Sequence, residues 1–444
     1  MRAENPSYLR AACIRAALAL TLILGLAALS DTPAVAVPAP TAAPPDPAPA
    51  PNPRAVERSN AAAPLGPVIG EVDDEVADVV TEAEETTDEA VDTTAAAAAD
   101  TTTEAATLAA ATVGLGWNGF SVSKWPSGSW RPYAANSPFN RGAVTVPQHP
   151  NSARIVQRIL SLGSVGNLVA GNSGTTSDYG HPTYYSQPSD PLFTLRWTGG
   201  GPGAAINGMR IRIPDAARAA LGDDGHMTVV TPDGWEYDFW RVGTKPKGGG
   251  TMTFSGGGRT RMDGWGLNSG ATAANFGNLA GVIRAQELAA GTINHALFLV
   301  VKCVARGTSF GYGTRTTSTS SYVFPASHAG SPCSSDPGDL PPMGARLRLA
   351  MTTTQINALA IPAWKKTILR ALSNYGGYIG DTGGPGLAFQ FESGATYTSF
   401  GMADPLVTFA KANGVPQWNG TSVFNMASGV EWAKYLRVLV PPTP

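Results

Sequence analysis

Residues 37–115 cannot build a core of their own, which confines any fold to residues 116–444. This stretch is Ala, Pro, Thr and acid, with almost no aromatic or large aliphatic side chains. Glu71–Glu104 holds 13 acids and no base. Such a segment buries too little apolar surface to offset its ordering entropy, so it reads as a disordered, Pro/Ala/Thr-rich acidic stalk. Ala and Glu favour at most a transient helix near residues 72–89. The stalk also hides a charge split. The first 115 residues carry 17 of the 33 acids and 5 of the 31 bases, leaving 16 acids against 26 bases in residues 116–444. The overall charge of −2 thus conceals a body of formal charge +10. A basic body behind an acidic stalk suggests either a polyanionic partner or attraction between the two parts. The stalk reads first as a spacer, and alternatively as a cover over a basic groove.

Ahead of the stalk stands an export signal, expected over residues 1–36. Arg2, Arg10 and Arg15 make a positive region, residues 16–29 an apolar run, and Ala34-Val35-Ala36 a cleavage site of small residues. The apolar run is short of the roughly 20 residues that span a bilayer. No later segment is long and apolar enough to cross a membrane, so the chain is expected to be secreted or cell-wall associated. Cys13 lies in the signal. Cys303 and Cys333 remain, and an oxidising compartment would join them. No close second pair of cysteines and no His-x-His or His-Glu-x-x-His spacing points to a metal, and no cofactor motif stands out.

Trp117 opens the body, residues 116–444, with a candidate second lobe from about 341, after a Ser/Pro/Gly/Asp-rich stretch. The body reads as mainly β: an antiparallel sandwich of jelly-roll type with a few peripheral helices. Residues 226–231 and 235–242 flank Pro232-Asp233-Gly234 and form a predicted hairpin. Further strands are expected ahead of Pro214 and at 297–304 and 346–351. Helices are expected at 152–162 and 354–375, the second broken at Pro362, with a turn or two at 216–221.

The candidate catalytic residues are His226, Glu236, Asp238, His295 and Asp381. His226 and His295 stand at strand entrances, where a side chain can reach a cleft. Either would serve as an acid or base near neutral pH, or simply pack at an edge. Alternation along Trp235–Trp240 turns Glu236, Asp238 and Trp240 to one face, and Trp235, Tyr237 and Phe239 to the other. Carboxylates beside Trp suit a sugar chain, the ring stacking while the acids move protons. Asp381 follows Gly-Gly-Tyr-Ile-Gly and precedes Thr-Gly-Gly, a loop-tip setting. Tyr237, Trp240, Trp265, Arg259 and Arg346 are the candidate substrate-binding residues, the arginines as cations for a uronate carboxylate.

From Asp224 onward the chain resembles a group of exported, mostly actinobacterial hypothetical proteins. The shared segments are Asp-Gly-His-Met (224–227), Glu-Tyr-Asp-Phe-Trp (236–240), Asn-His-Ala-Leu (294–297), Pro-Pro-Met-Gly-Ala-Arg-Leu-Arg-Leu (341–349) and Ile-Leu-Arg-Ala-Leu-Ser-Asn-Tyr-Gly (368–376) leading to Asp381. Ser-Pro-Phe-Asn (137–140) resembles the front end of that group. The resemblance implies no mechanism. The residues themselves suggest a carbohydrate-active protein that cleaves a polysaccharide by hydrolysis or elimination. The alternative is a non-catalytic glycan- or wall-binding protein. Export and scattered Lys/Arg argue against nucleic acid as partner.

Overall fold

The computed structural model describes residues 120–334 and 339–443. The export signal, the stalk with its transient helix, and Trp117 lie outside the described residues. Local rules explain the first hairpin of the body. Gly234 takes φ +81°, which the turn after Thr231 requires, and its N–H bonds the Thr231 carbonyl at 2.9 Å. The flanking segments are rich in β-branched and aromatic residues and pair as expected, with Val230 opposite Glu236.

The strands in chain order begin with β1 (Leu168–Ala170), β2 (Thr183–Tyr185), β3 (Leu192–Trp197), β4 (Arg210–Arg212), β5 (Met227–Val230), β6 (Trp235–Val242) and β7 (Gly250–Arg261). They continue with β8 (Leu297–Val301), β9 (Arg315–Thr316), β10 (Ser321–Tyr322), β11 (Arg346–Leu349), β12 (Gly377–Thr382), β13 (Leu387–Phe389), β14 (Gln417–Trp418), β15 (Thr421–Phe424) and β16 (Leu436–Val438). One sheet has the order β2-β5-β6-β7-β3-β4, a second β13-β8-β12-β11-β16, and a small third β1-β15-β14. The protein is therefore mainly β, in several sheets. Both large sheets are mixed rather than purely antiparallel. The pairs β2–β5, β3–β7 and β8–β12 run parallel, which the long connections between their strands permit and a hairpin would not.

Helices are few. Ser152–Ser161 (α1) puts Ile155, Val156 and Ile159 into the core. The region around Pro362 splits as expected into Thr353–Ala358 (α3) and Ala363–Asn374 (α4), with Ala285–Ala290 (α2) upstream. Proline has no N–H to continue the earlier helix, and here it stands just before α4. Residues 216–221 form no helix. The strand expected ahead of Pro214 shrinks to β4, since 204–206 turn as a 3-10 helix. The segment near 341 does not divide two sheets: β8 precedes it in the chain, yet β8 lies between β12 and β13, which come after it.

Two features aim side chains at one place. The parallel pairing of β8 with β12 slips by one residue between Ile379 and Asp381, a bulge at Gly380 that re-aims Asp381. Gly180 lets the chain before β2 press on Ser393, where a Cβ would come within 2.7 Å of the Ser393 Cα. Its neighbour His181 bridges Glu392 there. One apolar core fills the five-stranded sheet and its helices. A second, built from Tyr184, Phe193, Met227, Val229, Tyr237 and Phe239, covers one face of the six-stranded sheet. Cys303 and Cys333 form the expected disulfide. No helix among the described residues is long and apolar enough to cross a membrane.

Candidate functional site

A cavity of about 590 Å³ opens where the two large sheets meet the β1 edge. Its lining includes His181, Asp223, Asp224 and His226 from the six-stranded side, Asp381–Pro385 from the end of β12, and Asp178, Glu392 and Ser393. Five carboxylic acids thus line it, and no Lys or Arg does. Of the candidate catalytic residues, His226 and Asp381 come together here, joined by His181 and Asp224.

Asp381 takes a 2.7 Å hydrogen bond from the Thr382 N–H. Burial pushes its carboxyl up to about 7, and the charge of Asp224 adds to the rise. Asp224 is half-buried and held by the Trp240 indole N–H at 3.0 Å. Trp240 therefore serves this place as a clamp on a carboxylate. The two histidines touch, with ring centroids 4.6 Å apart. Burial, then repulsion from His226, lowers His181 to about 3, and burial lowers His226 to about 4. Both are neutral imidazoles at pH 7. His181 Nδ1 lies 2.9 Å from the Asn278 carbonyl, which makes Nδ1 the protonated nitrogen and Nε2 the acceptor. His226 Nδ1 is buried and has no hydrogen-bond partner among the described residues. Glu392 is raised to about 7 by burial and accepts from the Tyr397 hydroxyl at 2.9 Å. Asp178, raised by burial, accepts from the Ser393 hydroxyl at 2.7 Å. At the lining Tyr179 leaves half its surface exposed.

The other candidates stand elsewhere. Glu236 and Asp238 point to the face opposite Tyr237 and Phe239, as alternation requires, but that face is covered. Both are fully buried, and neither lines the cavity. His295 is held inside a buried cluster, with Nε2 2.9 Å from Glu287 and Arg284 at 2.9 Å from the same oxygen. Burial raises the Glu287 carboxyl, but Arg284 and His295 outweigh it and keep it low. Those interactions occupy His295 structurally. Arg346 is buried and spends its guanidinium on the Tyr375 and Arg141 carbonyls. Arg259 stacks on Trp235 at 4.0 Å and bonds the Tyr237 hydroxyl at 3.2 Å. Trp265 is partly exposed and donates to Asn136. None of these four lines the cavity.

His181 and Asp224 are thus site residues missing from the sequence candidates. Asp224 carried a signal in its Gly-flanked setting and in Asp-Gly-His-Met. His181, in Gly-His-Pro, carried only its residue type. Among the described residues no three His, Cys, Asp or Glu side chains gather as metal ligands. No family model, no curated protein and no solved structure matches the chain.

Proposed function

We propose that the body hydrolyses glycosidic bonds in an extracellular polysaccharide, with Asp381 as general acid and Asp224 as general base. The observation that supports this most is the pairing of an acid that keeps its proton to about pH 7 with a neighbouring carboxylate clamped by Trp240, both lining one cavity. Two carboxyl groups in different environments, one holding its proton, are what glycoside hydrolysis needs. Asp381 gives its proton to the leaving glycosidic oxygen as the C–O bond breaks. Water adds to the anomeric carbon and yields a proton to Asp224. His181, neutral and with Nε2 as its acceptor, is suited to a sugar hydroxyl. The half-exposed ring of Tyr179 offers a face for a pyranose.

Elimination on a uronate is less well supported. It needs a cation or amide at the carboxylate, and five acids without Lys or Arg line the cavity. The basic surplus of the body lies outside this lining, so a neutral glycan suits the cavity better than a polyanion. The expected export signal and stalk support secretion or wall attachment, which fits such a substrate.

The test is a screen of the purified protein against neutral and uronate-bearing polysaccharides. New reducing ends without the absorbance of an unsaturated uronate support hydrolysis, and that absorbance overturns it. Asp381→Asn should lower turnover by about 10²–10⁴-fold while leaving glycan affinity in place. Affinity without turnover in the wild-type protein would make it a binding module.

A further inference from the structure

Glu236 and Asp238 lie outside the cavity, yet a single strand of backbone connects them to it. Alternation along β6 buries both carboxyls beneath the loop Gly277–Leu279. No Lys, Arg or His side chain forms an ion pair with either among the described residues. Their oxygens accept instead from the Tyr133 hydroxyl (2.6 Å) and the Leu279 N–H (3.0 Å) at Glu236, and from the Thr228 hydroxyl (2.7 Å) and the Asn278 N–H (3.2 Å) at Asp238. The Leu279 N–H and the Asn278 carbonyl belong to the same peptide unit. Its N–H donates to Glu236, and its carbonyl accepts from His181 Nδ1 at 2.9 Å. Asp238 pins the peptide unit before it through the Asn278 N–H. Gly277 leaves the room this needs, since a Cβ there would come within 3.0 Å of the Glu236 carboxyl and closer to the Tyr133 hydroxyl.

Hydrogen bonds in series polarise one another, and the bond made by one imidazole nitrogen decides which nitrogen carries the proton. An acceptor on the N–H of an amide strengthens its carbonyl as an acceptor on the other side. We propose that Glu236, supported by Asp238, is a positioning residue that acts through the 278–279 peptide to hold His181 in the Nδ1–H tautomer. The ring then keeps the Nε2 lone pair, and it lines the cavity with that nitrogen as an acceptor. The tautomer claim stands apart from glycan hydrolysis, and only its effect on turnover rests on that reading.

The experiment is long-range ¹H–¹⁵N NMR on full-length protein labelled at histidine nitrogens, with His181 assigned through a His181→Gln variant. In the wild type His181 should show a protonated Nδ1 and a bare Nε2; a protonated Nε2 overturns the proposal without any further variant. Glu236→Leu removes the acceptor and should shift the tautomer ratio by about two- to fourfold, since polarisation through one peptide strengthens the next hydrogen bond by only about 10–30 %. Glu236→Gln keeps an acceptor for the Leu279 N–H and should restore the wild-type pattern. An unchanged His181 spectrum in Glu236→Leu, with the His149 and His295 signals also unchanged, would remove Glu236 from the role. If Glu236→Leu fails to fold, Tyr133→Phe takes one donor from Glu236 at little cost in volume. His181 nitrogen shifts should then move, and their constancy would refute the coupling. Where the tautomer shifts as expected but no glycan is cleaved, the hydrolase reading falls and the positioning role remains.

Discussion

Asp381, the proposed general acid, is also a residue on which stability turns. Its carboxyl binds a proton more tightly in the folded chain, at about 7, than in the unfolded chain, at 3.8. A raised carboxylate of this kind gives stability at low pH that is lost as pH climbs from the unfolded value through the folded one. Asp381→Asn removes that loss. The variant should therefore melt higher than wild type at about pH 8 and no higher at about pH 4, where the native acid is protonated in any case. Differential scanning calorimetry at the two pH values checks this, and an equal shift at both would contradict the burial argument. Trp240 acts on the partner acid. Trp240→Phe keeps an aromatic ring but deletes the N–H that holds Asp224. Turnover should fall by about tenfold, the worth of one hydrogen bond to a charged group. The loss should appear in kcat more than in KM, which steady-state kinetics separates.

At the level of the element, β12 and the disulfide hold the acid in place. Thr382, next to Asp381, accepts from the Ser331 N–H through its hydroxyl, and Gly383 donates to the Lys302 carbonyl. Ser331 lies in the segment that Cys303–Cys333 closes, its ends 30 residues apart in sequence, and Lys302 stands just before it. Replacing both cysteines by serine should lower stability by about 3–4 kcal/mol in the chain-entropy model. Chemical denaturation with and without reductant measures the loss, and amide exchange should rise first at Ser331 and Gly383. Gly380 sits at the β12 bulge against the Phe298 ring, with no room for a Cβ. Gly380→Ala should cost about 1–3 kcal/mol by overpacking and displace Asp381 with it. A urea midpoint unchanged from wild type would refute that close packing.

Across the whole molecule, buried carboxyls outnumber buried histidines in their effect on pH stability. Asp381 and Glu392 rise to about 7 and Asp238 to about 6, each by burial first. Their stabilising contribution is present below the unfolded values near 4 and lost as pH rises to 7. His181 and His226, lowered to about 3 and about 4, work the other way: stability is present above 6.5 and lost as pH falls below it. Between those values the two sets oppose each other. Above 6.5 the unfolded histidines shed their remaining protons within about one unit, and the more numerous carboxyls dominate. The melting temperature should therefore decline from about pH 6 to about pH 8. Melting curves followed by circular dichroism test this, and a rise over that interval would refute it. Net charge fails as a guide at this scale. The body is basic overall, but five of its 16 acids and none of its Lys or Arg side chains line the cavity.

What the sequence settled alone lies within a few residues of its cause. The Pro-Asp-Gly turn made a hairpin because Gly234 tolerates positive φ. Pro362 divided two helices because it lacks an N–H, and the only two cysteines of the body met as a pair. Alternation placed Glu236 and Asp238 on one face of β6, but no local rule says what covers a face. Tertiary structure decided that this face is buried under Gly277–Leu279, and that the end of β12, far along the chain, delivers Asp381 beside Asp224 and His181. Burial sets a carboxyl's proton affinity through every segment packed around it, and those segments are distant in sequence. The chemistry of Asp381 and Glu236 therefore became legible only once the sheets had been assembled.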